Sequence, residues 1–154
     1  MEVFSSNQYG PLPEARLAQF EAQIGYRLPE DYRRFLLEHN GGVPSPNCFT
    51  ISAEQGNDVL VGFFGLHSGQ SYLRIDEAVE MIDDRLFPGL LPIGTDPFGN
   101  CMCVGLVEPY RGRVYFWDHE VASELDVPGS KGVILVAESF QAFLDSMFAG
   151  RYGA

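Results

Sequence analysis

The sequence predicts an α+β fold, and three observations carry that prediction. The N-terminal third repeats its apolar side chains at helical spacing, the middle turns to short β-branched and aromatic runs separated by turn residues, and the last stretch returns to the helical period. With 154 residues, 45% of them apolar and 20% charged, the chain is long enough for one hydrophobic core. Residues 1–154 are therefore expected to form a single domain that needs neither disulfides nor a structural metal.

The breaker cluster Tyr9-Gly10-Pro11-Leu12-Pro13 delivers the chain into a helix near Glu14, on which Leu17, Phe20 and Ile24 share a face. Gly25 fits the residue just past its end. A second helix opens after Leu28, with Pro29 suited to the first helical position and Glu30 and Asp31 favoured at the positive end of the dipole. Its apolar face is Tyr32, Phe35, Leu36 and His39, and Asn40-Gly41-Gly42 ends it. Joined by two or three residues, the two helices must pack as a corner.

Phe49-Thr50-Ile51 and Val59 to Phe64 read as the strands of a hairpin around the polar turn Glu54 to Asp58. Asp76 reads as the N-cap of a third helix running through Glu77, Val79, Ile82 and Leu86 to the stop Phe87-Pro88-Gly89. Leu90 to Ile93 is a strand and Gly94 to Asn100 a loop. Cys101 to Val107 and Arg113 to Trp117 make a second hairpin about Glu108 to Gly112. Both alternating faces of the Cys101 strand are apolar, so it is expected to be covered twice and to lie centrally. A last strand, Val133 to Val136, precedes a helix capped by Ser139, with Phe140, Phe143, Leu144 and Met147 at helical spacing before Gly150.

Charge excludes whole classes of partner. The chain carries 21 Asp and Glu against 10 Lys and Arg, a net charge of −11, which repels phosphate backbones and anionic lipid and attracts cationic surfaces. Neither nucleic acid nor membrane is expected to bind it directly. Three cysteines do not resemble a secreted disulfide framework. The start of the chain has no targeting pattern, and the apolar run Val59 to Leu66 is far short of the ~20 residues of a membrane span, so a cytosolic location is expected.

The search for chemistry finds no catalytic constellation. His39, His67 and His119 fall on different elements without metal-ligand spacing, and Cys101-x-Cys103 lacks a second pair of ligands, so no metal or other cofactor is expected. His39 belongs to a helix face, where a structural role fits best. Asp118-His119-Glu120 sets two carboxylates around an imidazole, but strand alternation puts His119 on the opposite face and no nucleophile accompanies it. No phosphate-binding glycine loop and no Gly-x-Ser-x-Gly elbow occurs. What remains is the acid itself. Glu54 and Asp58 in a turn, Asp83 and Asp84 at a helix end, Asp96 in a loop, and Asp118, Glu120, Glu124 and Asp126 near the later turns are expected to be exposed and to meet a basic protein partner.

Leu28-Pro29-Glu30-Asp31-Tyr32-Arg33-Arg34-Phe35-Leu36, followed by Asn40-Gly41-Gly42, resembles the LPxxYxxFL…NGG signature of the SUKH superfamily, which includes the SMI/KNR type of cell-wall-assembly regulators. The likeness continues in order through Leu91 to Asp96 with Gly99-Asn100, through Val114 to Glu120, and through Ala137 to Leu144, nearly the whole chain. It implies a mostly antiparallel, curved sheet flanked by helices. It also implies a structural role for the motif residues: Leu28, Tyr32, Phe35, Leu36, Phe140, Phe143 and Leu144 as core, Pro29 and Ser139 opening helices, Asn40, Gly41 and Gly42 as a stop, and Trp117 as a packing residue. Small bacterial members are taken to be immunity proteins that neutralise toxins, many of them nucleases, and fungal members act as regulators through protein partners. The resemblance thus implies a non-catalytic protein that occludes a basic toxin domain. A housekeeping regulator or scaffold is the alternative, and an enzyme using Asp118, His119 and Glu120 is the third reading.

Overall fold

The computed structural model describes residues 1–150, so the last four residues of the expected 1–154 unit lie outside it. Helices α1 (Glu14–Ile24) and α2 (Glu30–His39) stand where their apolar periods place them, and α1 closes at Gly25 with φ 83°. Pro29 takes the cap position of α2 rather than its first turn. The link between the helices, Gly25 to Pro29, is longer than expected, and buried side chains fasten it. Glu21 of α1 accepts hydrogen bonds from Arg33 Nη2 at 3.1 Å and from the Leu28 N–H at 2.8 Å.

Every named strand pairing is antiparallel. β1 (Glu2–Phe4) pairs with β2 (Val43–Ser45), and β3 (Cys48–Ser52) forms a hairpin with β4 (Gly56–Val59). β5 (Gly62–Phe63), β6 (Leu90–Thr95), β7 (Cys101–Gly105), β8 (Val114–Trp117) and β9 (Val133–Ala137) make the five-stranded sheet in chain order. Register shifts at Pro92/Gly94 and Val114/Tyr115 bend it, as bulges do. Helices α3 (Ile75–Ile82) and α4 (Phe140–Ser146) complete the α+β arrangement.

β7 is the middle strand, buried along its whole length, as its two apolar faces require. Met102 and Val104 join the main core with Leu17 and Phe20 of α1, Tyr32, Phe35 and Leu36 of α2, Phe49 of the hairpin, and Phe140 and Phe143 of α4. Cys101 and Cys103 point the other way, into a second cluster with Ile82, Leu86, Leu90, Tyr115, Trp117 and Val133. Edge-on phenylalanine contacts knit the first core: Phe35 meets Phe63 at 5.0 Å and Phe140 at 5.1 Å, geometry that adds to burial itself.

Several boundaries depart from the sequence expectation. The run Val59 to Phe64 is not one strand. Val59 ends β4, the Val61 N–H bonds to Thr95 O at 2.8 Å, and Gly62 and Phe63 enter the large sheet as β5. A continuous apolar run gives no signal of where a chain changes partner, whereas polar Gly56 to Asp58 makes a strand because the ladder uses backbone groups alone. Arg74, not Asp76, caps α3, since the Ile75 N–H bonds to Gly65 O at 2.9 Å and pulls the helix start into the core. That helix ends at Ile82, with Leu86 reaching the second cluster from a turn. Gly94 and Thr95 belong to β6, which shortens the loop to Asp96–Asn100. α4 stops at Ser146, after which Phe148 bridges to Cys48. Strands β1 and β2 and the 3-10 turn Ser71–Leu73 have no counterpart in the sequence prediction.

Candidate functional site

The crossover from β4 to β5 sets Asp58 beside Asp96, the residue just after β6. Asp96 is not exposed, contrary to expectation: it retains 4% of its accessible surface because the loop folds round its own carboxylate. Its Oδ1 accepts from the Phe98 N–H at 2.9 Å and the Asn100 N–H at 2.8 Å, and its Oδ2 from Asn100 Nδ2 at 2.9 Å. Aspartate capping amides further along its own chain is a common turn device, here closed on itself by Asn100. Asn100 Oδ1 in turn accepts from the backbone N–H of His119 at 3.1 Å and from His119 Nδ1 at 2.7 Å.

Asp58 is half-buried on β4 rather than exposed in a turn. One oxygen accepts from the Val59 N–H at 2.8 Å. The other is buried with no donor among the described residues reaching it. Burial, reinforced by the neighbouring Asp96 carboxylate, pushes Asp58 up to about 7.

β8 ends at Trp117 and the chain turns there, so strand alternation does not govern Asp118, His119 and Glu120. The Val121 and Ala122 amides bond back to Asp118 O, and Asp118 Oδ1 accepts from the Glu120 N–H at 3.0 Å. The turn corrects the expected separation: Asp118, His119 and Glu120 all line one cavity of about 320 Å³, together with Asp58 and Asp96. His119 Nε2 lies 3.9 Å from Glu120 Oε1. Among the described residues, no group of His, Cys, Asp and Glu is arranged to hold a metal ion.

On the other side of His119 runs an apolar groove of about 330 Å³ between α3 and the second face of the sheet. Cys101 and Trp117 belong to its sheet side and Tyr72 and Met81 to its helix side. The Arg85 guanidinium stands over the Trp117 ring, 5.0 Å from its centroid, while its Nη2 donates to His119 O at 3.0 Å.

The other acids anticipated from sequence lie apart from this cavity. Glu54 is exposed at the tip of the β3–β4 hairpin, though its neighbour Gln55 lines the pocket. Asp83 and Asp84 are exposed just beyond α3, and a 2.9 Å bond from the Leu125 N–H to Arg85 O ties the Glu124 and Asp126 loop there. Glu124 is exposed; Asp126 is half-buried, accepting from the Ser123 N–H at 2.8 Å. Phe98, Tyr72, Met81 and Arg85 escaped the sequence reading as site residues, and Asn100 entered it only within the family likeness. Met81 carried a legible signal, an apolar side chain off the Ile75, Val79, Ile82 face of its helix.

The family-motif residues occupy the scaffold beneath this surface. Leu28, Tyr32, Leu36, Phe140 and Phe143 are wholly buried, Pro29, Phe35 and Trp117 nearly so, and Leu144 packs against the core. Ser139 Oγ accepts from the Ala142 N–H at 3.0 Å and caps α4. Compared with known sequences, residues 11–146 match the SMI1/KNR4 family (SUKH-1). The chain belongs to that family. One relative, an SPbeta prophage-derived uncharacterized protein, YokK, of Bacillus subtilis (strain 168), is 28% identical over 149 residues, covering 86% of this chain and 72% of its own length. The SUKH-1 glycines do more than stop a helix. Asn40 itself takes the left-handed turn at φ 46°, and Gly42, at φ 106°, lets β1 approach so closely that a Cβ would stand 2.7 Å from Phe4 O. No helix among the described residues is long and apolar enough to cross a membrane.

Proposed function

We propose that this SUKH-1 protein is a cytosolic, non-catalytic immunity protein that binds the cationic substrate cleft of a toxin domain, such as a nuclease, and blocks it by occlusion. The observation that carries this reading is the cavity lined by the Asp96, Asp118 and Glu120 carboxylates beside Asp58 in a family member of net charge −11. A cavity lined by one sign of charge focuses its field and speeds encounter with the opposite sign, while affinity comes from a few desolvated anchors. The prophage origin of the YokK relative fits cargo of mobile conflict systems better than a housekeeping regulator. The third reading, acid/base catalysis, finds little support, because His119 Nδ1 is engaged by Asn100 and Asp118 by the backbone of its own turn.

The test is co-expression with the toxin domain encoded beside the gene. Protection of growth, together with a complex whose affinity falls by about tenfold or more between low and moderate salt, is expected because exposed charges are screened over ~10 Å or less at those concentrations. Absence of protection against any neighbouring toxin removes the reading. A stoichiometric complex with an endogenous protein in cells free of toxin establishes the regulator instead.

A further inference from the structure

The three most exposed large apolar side chains among the described residues, Met81 at 75%, Phe98 at 69% and Tyr72 at 64%, all line the two cavities that meet at His119. Singly exposed apolar residues need no explanation, but three on one continuous depression rimmed by acid mark a contact surface. The charge on that surface is one-sided. Asp58, Asp96, Asp118 and Glu120 line the acidic end, and Glu77 lines the groove. The cations nearby are spoken for: Arg74 is held by Asp76 at 2.6 Å and Arg85 lies over Trp117, donating to His119 O.

We propose that this depression takes a protein segment in which an arginine or lysine stands next to a large apolar side chain. The apolar side chain enters the groove between Met81, Tyr72 and Trp117, and the cation crosses His119 to meet Asp118 and Glu120. The occupant is a basic face of the toxin domain, so the inference rests on the immunity reading and adds the surface and the anchor chemistry. Apolar anchors in a partly preformed groove supply affinity, and the adjacent carboxylates select a cationic neighbour over a neutral or acidic one.

Trp117 is the only tryptophan of the chain and lines the groove, so its indole N–H resonance reports occupancy. The probe is a capped peptide of sequence Gly-Leu-Phe-Arg-Lys-Gly, with Gly-Leu-Phe-Glu-Glu-Gly as control, titrated into the wild-type protein, Met81→Asp and Glu120→Lys. Both substitutions sit at exposed positions, and retention of the fold is checked by the thermal midpoint. A saturable shift with the basic peptide alone, weakened about tenfold or more in each variant (~1.4 kcal/mol), supports the site. A shift unaffected by both substitutions, or none that saturates, overturns it. The same variants separate the two ideas in the growth assay. Protection by both variants as strong as wild type keeps the immunity reading and removes this surface. No protection by wild type, with the peptide titration positive, removes the immunity reading and keeps the surface.

Discussion

Asp58 and Asp96 line one cavity at the junction of the β3–β4 hairpin and the large sheet, and Asp58 Oδ2 is buried there with no hydrogen-bond partner among the described residues. Asp96 already accepts from two amides and from Asn100 Nδ2, and its charge adds to burial in favouring a proton on Asp58. The facing groups Asp118, His119 and Glu120 add only one side chain capable of positive charge.

Stability is therefore expected to fall as pH rises through that proton's range. The folded protein holds Asp58 up to about 7 against an ordinary 3.8, so the folded state binds more protons between those values. The contribution is complete below about pH 4 and lost by pH 8. Asp58→Asn keeps an oxygen to accept from the Val59 N–H and removes the titration. Its advantage over wild type in urea unfolding is expected to be negligible near pH 4 and about 1–2 kcal/mol at pH 8, after allowing for solvent screening of a half-buried group. An equal advantage at both pH values contradicts a raised Asp58 carboxyl.

The Glu21–Arg33 pair makes the opposite pH prediction. Burial alone would raise Glu21, but the hydrogen bonds from Arg33 and the Leu28 N–H, with the Arg33 charge, outweigh it and hold the carboxyl below its ordinary value of 4.5. Its contribution is present above that value and disappears as pH falls below it. Glu21→Gln leaves the buried guanidinium only the exposed Glu14 carboxylate at 3.4 Å and is expected to cost about 3 kcal/mol, whereas Glu21→Leu with Arg33→Met is expected to recover most of that loss. Urea midpoints of the single and double variants at neutral pH decide it.

How far the sequence revealed these sites depends on which forces set them. α1, α2 and α4 were legible because one apolar period fixes each of them, Ser139 announces the cap of α4, and the buried β7 was legible because both its faces are apolar. Asp96 was misplaced because a loop rich in Gly, Pro and Asn usually leaves its acid in water, and only Asn100, four residues on, turns that carboxylate inward. The acidic cavity was illegible as a unit: Asp58 and Asp118 meet there because the chain switches sheets after Val59 and turns after Trp117, and neither event has a residue pattern of its own.

Asn40 joins three segments, and replacing it tests the family motif as a structural device. Its Nδ2 donates to Gly10 O at 3.1 Å and Leu66 O at 3.0 Å, and its Oδ1 accepts from the Leu66 N–H at 2.8 Å. Asn40→Ala orphans the buried Leu66 amide and forces alanine into the left-handed region, an expected loss of about 3 kcal/mol. Asn40→Gly orphans the same groups without the backbone penalty and is expected to retain about 1 kcal/mol more. Equal thermal midpoints for the two variants would show that backbone conformation contributes nothing there.

The cysteines report on how the groove is built. Burial and the Asp96 charge push the Cys101 thiol up to about 12, and burial holds Cys103 well above its ordinary 9.0. The nucleophile is the thiolate, so both are inert in the folded state, and Cys48 is buried as well. A disulfide reagent is expected to label the native protein at the rate at which the chain opens, orders of magnitude slower than the urea-unfolded chain. Cys101 lines the groove beside α3, whereas Cys103 lies wholly buried within the second cluster. Local lifting of α3 should therefore expose Cys101 first, and the basic peptide, by closing the groove, should slow labelling of Cys101 more than that of Cys103. Rapid modification of Cys101 at neutral pH, insensitive to the peptide, would contradict both its burial and its place in the groove.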